Sequence, residues 1–209
     1  MNADLKLKVC GMRDPENILE VANIAPDFMG FIFYDRSPRY VGDNFKMPEF
    51  SEVTKKVGVF VNESTDVMID TSNKFRLDFL QLHGHESVDQ CRELKRAGVG
   101  IIKVFSMDNQ TDLDLTLPFA SVADYFLFDT RGKYYGGNST TFDWGILNQY
   151  HGEVPFFLSG GITPEHIEEV KQIGHSQLWA IDVNSGVEIR PAFKDVEKVK
   201  AIRTTLNSK

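Results

Sequence analysis

The sequence predicts an α/β protein of the (β/α)8 barrel class, with residues 1–209 forming a single domain. Three observations carry this. Eight short apolar runs, rich in Phe, Val and Ile, recur along the chain at intervals of roughly 20 to 30 residues, the length of one strand-plus-helix unit. Stretches with helical patterning and helix end signals lie between most of them. No glycine-rich fingerprint follows the first run, which argues against the alternative, an open doubly wound sheet. At roughly 26 residues per unit, this is a compact TIM barrel.

The first run, Leu5–Cys10, ends in a thiol followed by Gly11. Asp14 and Pro15 then supply a cap and a proline at the first helical position, opening a helix over Pro15–Ala25. The second run, Phe28–Tyr34, precedes Gly42–Val53, a weak helix that carries Pro48. Val57–Val61 leads into Ser64–Phe75, and Phe79–His83 into Glu86–Ala97, which Gly98 closes. Ile101–Phe105 is followed by Asp108–Val122, where Pro118 permits only a partial helix. Tyr125–Asp129 leads into Phe142–Tyr150. Pro155–Ser159 leads into Pro164–Ile173, capped by Thr163 and ended by Gly174. Leu178–Val183 is the last strand and Ala192–Leu206 the last helix. Several runs lack clean alternation, as strands covered on both faces do. No residue-level repeat, low-complexity segment or linker divides the chain.

Composition narrows the function. A net charge of −7 argues against nucleic acid or an anionic membrane as a general partner, while leaving room for a local anion pocket. The two cysteines lie far apart, with neither a disulfide framework nor metal-ligand spacing, and suit a reducing cytoplasm. The N-terminus lacks the apolar core of a signal peptide, and no apolar run approaches the roughly 20 residues of a membrane helix.

In a barrel the loops after the strands form the active face, so polar residues at strand ends are the candidates. They are Cys10 after the first strand, Arg36 and Arg39 after the second, Gln81 and His83 at the fourth, and Asp129 at the sixth. Ser159-Gly160-Gly161 ends the seventh strand, and Asp182-Val183-Asn184-Ser185-Gly186 spans the end of the eighth. Gln81 and His83, two apart, share a side. Glycines at consecutive strand ends, one pair opening a helix, let backbone N–H groups approach an anion. Gly160, Gly161, Ser185 and Gly186 therefore read as a phosphate site. Asp129, after three apolar residues, fits either an acid/base group or a helix cap. Arg39 can clamp a carboxylate with its planar fork. Lys8 and Lys103 fall where they can point inward and neutralise carboxylates. Cys91 reads as structural, and there is no metal triad.

The segments Lys8-Val-Cys-Gly11, Gly30-Phe-Ile-Phe-Tyr34, Ser37-Pro-Arg-Tyr40, Val57-Gly-Val-Phe-Val-Asn62 and Gln81-Leu-His-Gly84 resemble the phosphoribosylanthranilate isomerase family. So do Asp129-Thr130, Gly136-Gly137, Thr141-Phe-Asp-Trp144, Leu158-Ser-Gly-Gly161 and Asp182-Val-Asn-Ser-Gly-Val-Glu188. The match runs in order from Leu7 to Glu188 and departs at Asp35, where proline is frequent, and at Asn138-Ser139-Thr140. The resemblance implies an Amadori rearrangement of a phosphoribosylated anthranilate in tryptophan biosynthesis, without cofactor or metal. It implies Cys10 as general base and Asp129 as general acid. Arg39 is then the carboxylate clamp, and Gln81, His83 and Asp182 contact substrate. The phosphate sits at Gly160, Gly161, Ser185 and Gly186, and Gly136-Gly137 hinges a closing loop. The partner implied is one small phosphorylated substrate, and the protein a monomer or homodimer.

Three rivals remain on the sequence. A related aminoaldose-phosphate isomerase of histidine biosynthesis is expected to carry an aspartate where Cys10 stands, so the cysteine argues against it. A non-catalytic phosphate-binding barrel would tolerate loss of the acid or base, and both are present. A thiol-redox protein lacks a second cysteine close to Cys10 in sequence.

Overall fold

The computed structural model describes residues 5–107, 113–130 and 144–208. Eight parallel strands close a barrel in chain order: β1 (Lys6–Val9), β2 (Phe28–Ile32), β3 (Lys55–Phe60), β4 (Phe79–Leu82), β5 (Gly100–Met107), β6 (Tyr125–Thr130), β7 (Phe156–Ser159) and β8 (Leu178–Val183). β8 pairs back onto β1, with Lys8 opposite Asp182. Around the strands lie α1 (Pro15–Ala22), α2 (Thr65–Phe75), α3 (Val88–Arg96), α4 (Ile167–Gln172) and α5 (Val196–Asn207). No helix among the described residues is long and apolar enough to cross a membrane.

Helix starts follow the cap chemistry. The side chains of Asp14, Ser64 and Ser87 each accept a backbone N–H three residues on, at 3.0, 3.4 and 3.2 Å. Where proline or short spacing intervenes, the expected helices are missing. Gly42–Val53 forms none. Instead Phe45 and Phe50 lay their rings on Phe31, at 5.8 and 6.4 Å between centroids, covering β2 without a helix. After β5 the described part of the unit is a 3-10 turn, Leu113–Phe119, with Pro118 inside it. After β6 the described part of the unit is another 3-10 turn, Trp144–Gln149. Gly136-Gly137, Asn138-Ser139-Thr140, Asp108 and Phe142 lie outside the described residues.

The last unit differs most from expectation. Ala192 does not start a helix. It turns at φ +64 between two short antiparallel strands, β9 (Glu188–Arg190) and β10 (Phe193–Lys194). The helix waits for Asp195, whose carboxylate accepts the N–H groups of Glu197 and Lys198.

The period-2 alternation of strands sends one set of side chains inward and the other against the helices. The inward set is layered. At the N-terminal end Phe28, Phe79, Tyr125, Phe157 and Trp179 fill the barrel, with Phe28–Phe157 and Tyr125–Phe157 ring centroids 5.0 and 5.2 Å apart. Nearer the C-terminal mouth the same face turns polar, with Lys8, Gln81 and Asp182 all buried. The aromatic layer thus lies beneath the buried polar groups of the mouth.

A second buried polar knot fixes the β3 and β4 loops. Glu86 meets Lys103 at 2.8 Å and accepts the N–H groups of Asn62 and Gly84. Lys103 also donates to the carbonyls of Leu82 and Gly84. Burial disfavours the Glu86 carboxylate, but Lys103 and the N–H donors outweigh it and hold its pKa below the usual glutamate value. The stabilisation is therefore complete above that usual value and is lost as pH falls through the lowered one. Lys103→Met strands the carboxylate and should cost about 3–5 kcal/mol in urea unfolding at neutral pH. The deficit should shrink in acid as Glu86 takes a proton. A pH-independent difference would contradict this.

Candidate active site

Register places the candidates at one level. Asp129 on β6 lies opposite Ser159 on β7, Ser159 opposite Asp182 on β8, and Asp182 opposite Lys8 on β1. Cys10, one residue beyond β1, shares the inward side with Lys8. A cavity of about 180 Å³ opens over them, lined by Cys10, Gln81, His83, Asp129, Gly160, Gly161, Asp182 and Ser185 among others. Eight of the ten residues expected from the sequence therefore face one space; Arg39 and Gly186 are not among the residues that line it.

Lys8 and Asp182 form a buried ion pair at 2.9 Å. Burial works against the Lys8 ammonium, but Asp182 and Cys10 beside it raise its pKa. Burial pushes the Cys10 thiol up; Lys8 and Lys194 pull it down, Asp182 pushes it up again, and the balance lies above the ordinary thiol value. Asp182 is likewise raised, chiefly by burial. Gly30 on the neighbouring strand makes room for the thiol: a Cβ there would stand 2.6 Å from Cys10 Sγ.

Across the mouth, His83 Nε2 lies 3.5 Å from Asp129 Oδ2, and Gln81 Nε2 lies 3.3 Å from His83 Nδ1. His83 thus bridges Gln81 and Asp129 through its two ring nitrogens. Gln81 Oε1 and Asp182 Oδ1 are buried acceptors without a hydrogen-bond partner among the described residues. They are suited to hydroxyl groups. No cluster of three or more His, Cys, Asp or Glu suited to a metal occurs among the described residues.

The two glycine loops meet. Gly160 and Gly161 take φ of +117 and +69, a region that disfavours side chains, and a Cβ on Gly161 would meet nothing within 4 Å. A Cβ on Gly186 would lie 2.1 Å from the Ile162 carbonyl, so the loop after β8 rests on the loop after β7. The open backbone of these loops is suited to an anion.

Sequence reasoning missed the partners of Arg39. Its Nε and Nη2 donate to Glu188 Oε1 and Oε2 at 2.8 and 2.6 Å. Lys194, fully buried, meets the same carboxylate at 2.7 Å. Glu188 ends the Asn-Ser-Gly-Val-Glu segment and was visible there, but nothing local points to a partner 149 residues away.

The charge balance around Cys10 is measurable. Alkylation of Cys10 by iodoacetamide, followed by peptide mass mapping, should be slow at pH 7 and still accelerating near pH 9. Lys8→Met should slow it further by removing a neighbouring cation. Half-maximal reactivity near neutral pH would contradict the assignment.

Comparison with known proteins gives the family. Residues 7–205 match the family described as N-(5'phosphoribosyl)anthranilate (PRA) isomerase. Relatives named N-(5'-phosphoribosyl)anthranilate isomerase include those of Parabacteroides distasonis and Phocaeicola vulgatus. The first is 46% identical over 93% of this chain and 90% of its own length. The second is 46% identical over 97% of this chain and 98% of its own. The crystal structure of the Thermotoga maritima isomerase superposes with a TM-score of 0.83 at 30% identity, covering 97% of this chain and 98% of that one. A phosphoribosyl anthranilate isomerase structure in complex with reduced 1-(o-carboxyphenylamino)-1-deoxyribulose 5-phosphate gives 0.81 at 28% identity, with the same coverage. The aromatic-floored barrel, its polar mouth and these relatives converge: the chain belongs to the N-(5'-phosphoribosyl)anthranilate isomerase family, isomerases of tryptophan biosynthesis.

Proposed function

We propose that Cys10 and Asp129 are the base and acid of the isomerisation of N-(5-phosphoribosyl)anthranilate to 1-(2-carboxyphenylamino)-1-deoxyribulose 5-phosphate. The observation that supports this most is their placement. They stand on elements three strands apart around the barrel and line the same small cavity. A sugar lying across the mouth meets one from each side.

The chemistry needs two proton transfers. Asp129 gives a proton to the ribose ring oxygen as its bond to C1 breaks, and the anilino nitrogen's lone pair forms the C1=N iminium. The Cys10 thiolate then takes the proton from C2, and the C–H electrons close the C1=C2 bond as the iminium becomes an enolamine. Loss of the C2 hydroxyl proton and protonation at C1 yield the ketone. His83, beside Asp129, holds that carboxyl in place. Gln81 Oε1 and Asp182 Oδ1 receive sugar hydroxyls. The phosphate lies on Gly160, Gly161, Ser185 and Gly186, and the carboxylate on Arg39. Holding both anionic ends fixes the reacting carbons, itself a large share of the rate gain.

Because Cys10 must be ionised to act and burial holds its pKa up, kcat/KM should climb with pH through the neutral range. The direct test follows the loss of substrate fluorescence with substrate made in situ. Cys10→Ser and Asp129→Val should each lose at least about 100-fold in kcat while retaining wild-type circular dichroism. Near-wild-type turnover in either variant would remove that residue from the mechanism. A folded wild type without turnover would leave a phosphate-binding barrel.

A further inference from the structure

Beside the cavity lies a charge cluster that the proton transfers do not use. Glu188 is almost fully buried, and both its oxygens are engaged by Arg39. Its Oε1 also accepts from Lys194 Nζ at 2.7 Å and from the Ala192 N–H at 3.0 Å. The Lys194 ammonium spends its remaining capacity on Asn184, 2.7 Å to Oδ1 and 3.3 Å to the backbone oxygen. Its backbone is pinned in turn by Asn17, a buried side chain of α1 that accepts the Lys194 N–H at 2.7 Å and donates to its carbonyl at 3.0 Å. The β9–β10 hairpin is what carries Glu188 and Lys194 to this point. The cluster abuts the base: a Cβ on Gly11 would stand 2.9 Å from Arg39 Cδ and 2.7 Å from Asn184 Oδ1.

Two features of this cluster bear on anion binding. Glu188 takes the edge of the guanidinium formed by Nε and Nη2. Arg39 carries five N–H groups, so among the described residues the end-on edge between Nη1 and Nη2 is left for a second, planar acceptor. Charge points the same way. Arg39 and Lys194 set two cations against the single Glu188 carboxylate, so one positive charge remains. Without Lys194, Glu188 would cancel Arg39 and repel a carboxylate arriving beside it.

We infer that Glu188, clamped by Lys194, is a positioning residue that holds Arg39 by one edge and aims the other at the carboxylate of the anthranilate ring. This rests on the proposed reading of Arg39 as the carboxylate clamp. Specificity for an aryl amine bearing an ortho carboxylate is then set partly by a hairpin that need not touch the substrate.

The test compares two substrates, N-(5-phosphoribosyl)anthranilate and N-(5-phosphoribosyl)aniline, which lacks the carboxylate. KM is read for wild type, Arg39→Met, Glu188→Gln and Lys194→Met. KM is insensitive to the fraction of protein that folds, so partial misfolding does not obscure it. Arg39→Met should erase most of the preference for the carboxylated substrate. Glu188→Gln should raise KM for that substrate by about tenfold, the scale of one charge-assisted hydrogen bond, with a much smaller change for the aniline. The sign is decisive. If Arg39 acted by charge alone, removing the Glu188 carboxylate would lower KM. Lys194→Met should also raise KM for the carboxylated substrate, and it carries the test if Glu188→Gln does not fold. If Arg39→Met leaves the preference intact, the clamp reading fails and takes this inference with it. If Arg39→Met erases the preference while Glu188→Gln and Lys194→Met keep it, the clamp stands and the positioning role alone is overturned.

Discussion

The buried pair between Lys8 and Asp182 is the constraint from which the rest of the site follows. It lies across the seam where the last barrel strand meets the first, 2.9 Å between charges with neither group open to solvent. Two ions taken out of water are tolerated only if each compensates the other, so the seam must close in one register. That register also sets the level of the chemistry. Counting across the sheet from Lys8 reaches Asp182, then Ser159, then Asp129. Cys10 lies one inward step above the pair, close enough for Lys8 to bear on its ionisation. The ion pair is thus both part of the closure and the electrostatic floor of the cavity.

The barrel below is built to keep that floor isolated. Five aromatic side chains fill the N-terminal half and pack ring against ring. Charged groups can then be concentrated at the mouth, where the local dielectric is low and each cation or carboxylate weighs more on its neighbours. Lys103 with Glu86, and Lys194 with Glu188, repeat the same solution at other points of the rim. Each pair ties down a loop that borders the cavity. The net result is a negatively charged protein whose buried cations at the mouth are each held by a carboxylate.

Much of this was legible in the sequence because two simple periodicities carry it. The strand period put Gln81 with His83 on one side, and the recurrence of strand-plus-helix units identified which ends would gather. Cys10, Asp129, Asp182 and the paired glycine loops could be located on those grounds. What could not be read depended on long-range or unsignalled geometry. Ala192 turns with positive φ although no glycine marks the place, so the β9–β10 hairpin passed for the start of a helix. The Arg39–Glu188 contact joins residues in the second and last units, and its meaning appears only once the barrel has closed. The weak helix around Pro48 did not form, and the described residues around Pro118 form a 3-10 turn, the partial helix that proline allows. In the second unit aromatic rings took over the covering role, which no local pattern announces.

A crystal structure with the reduced product analogue, 1-(o-carboxyphenylamino)-1-deoxyribitol 5-phosphate, tests whether one substrate, held at both anionic ends, lies between Cys10 and Asp129. Its phosphate should lie on the Gly160–Gly161 and Ser185–Gly186 loops and its carboxylate at Arg39. C2 should stand about 3–4 Å from Cys10 Sγ, the spacing of reacting atoms. An analogue bound with C2 remote from Sγ, or with its two ends reversed, would contradict it.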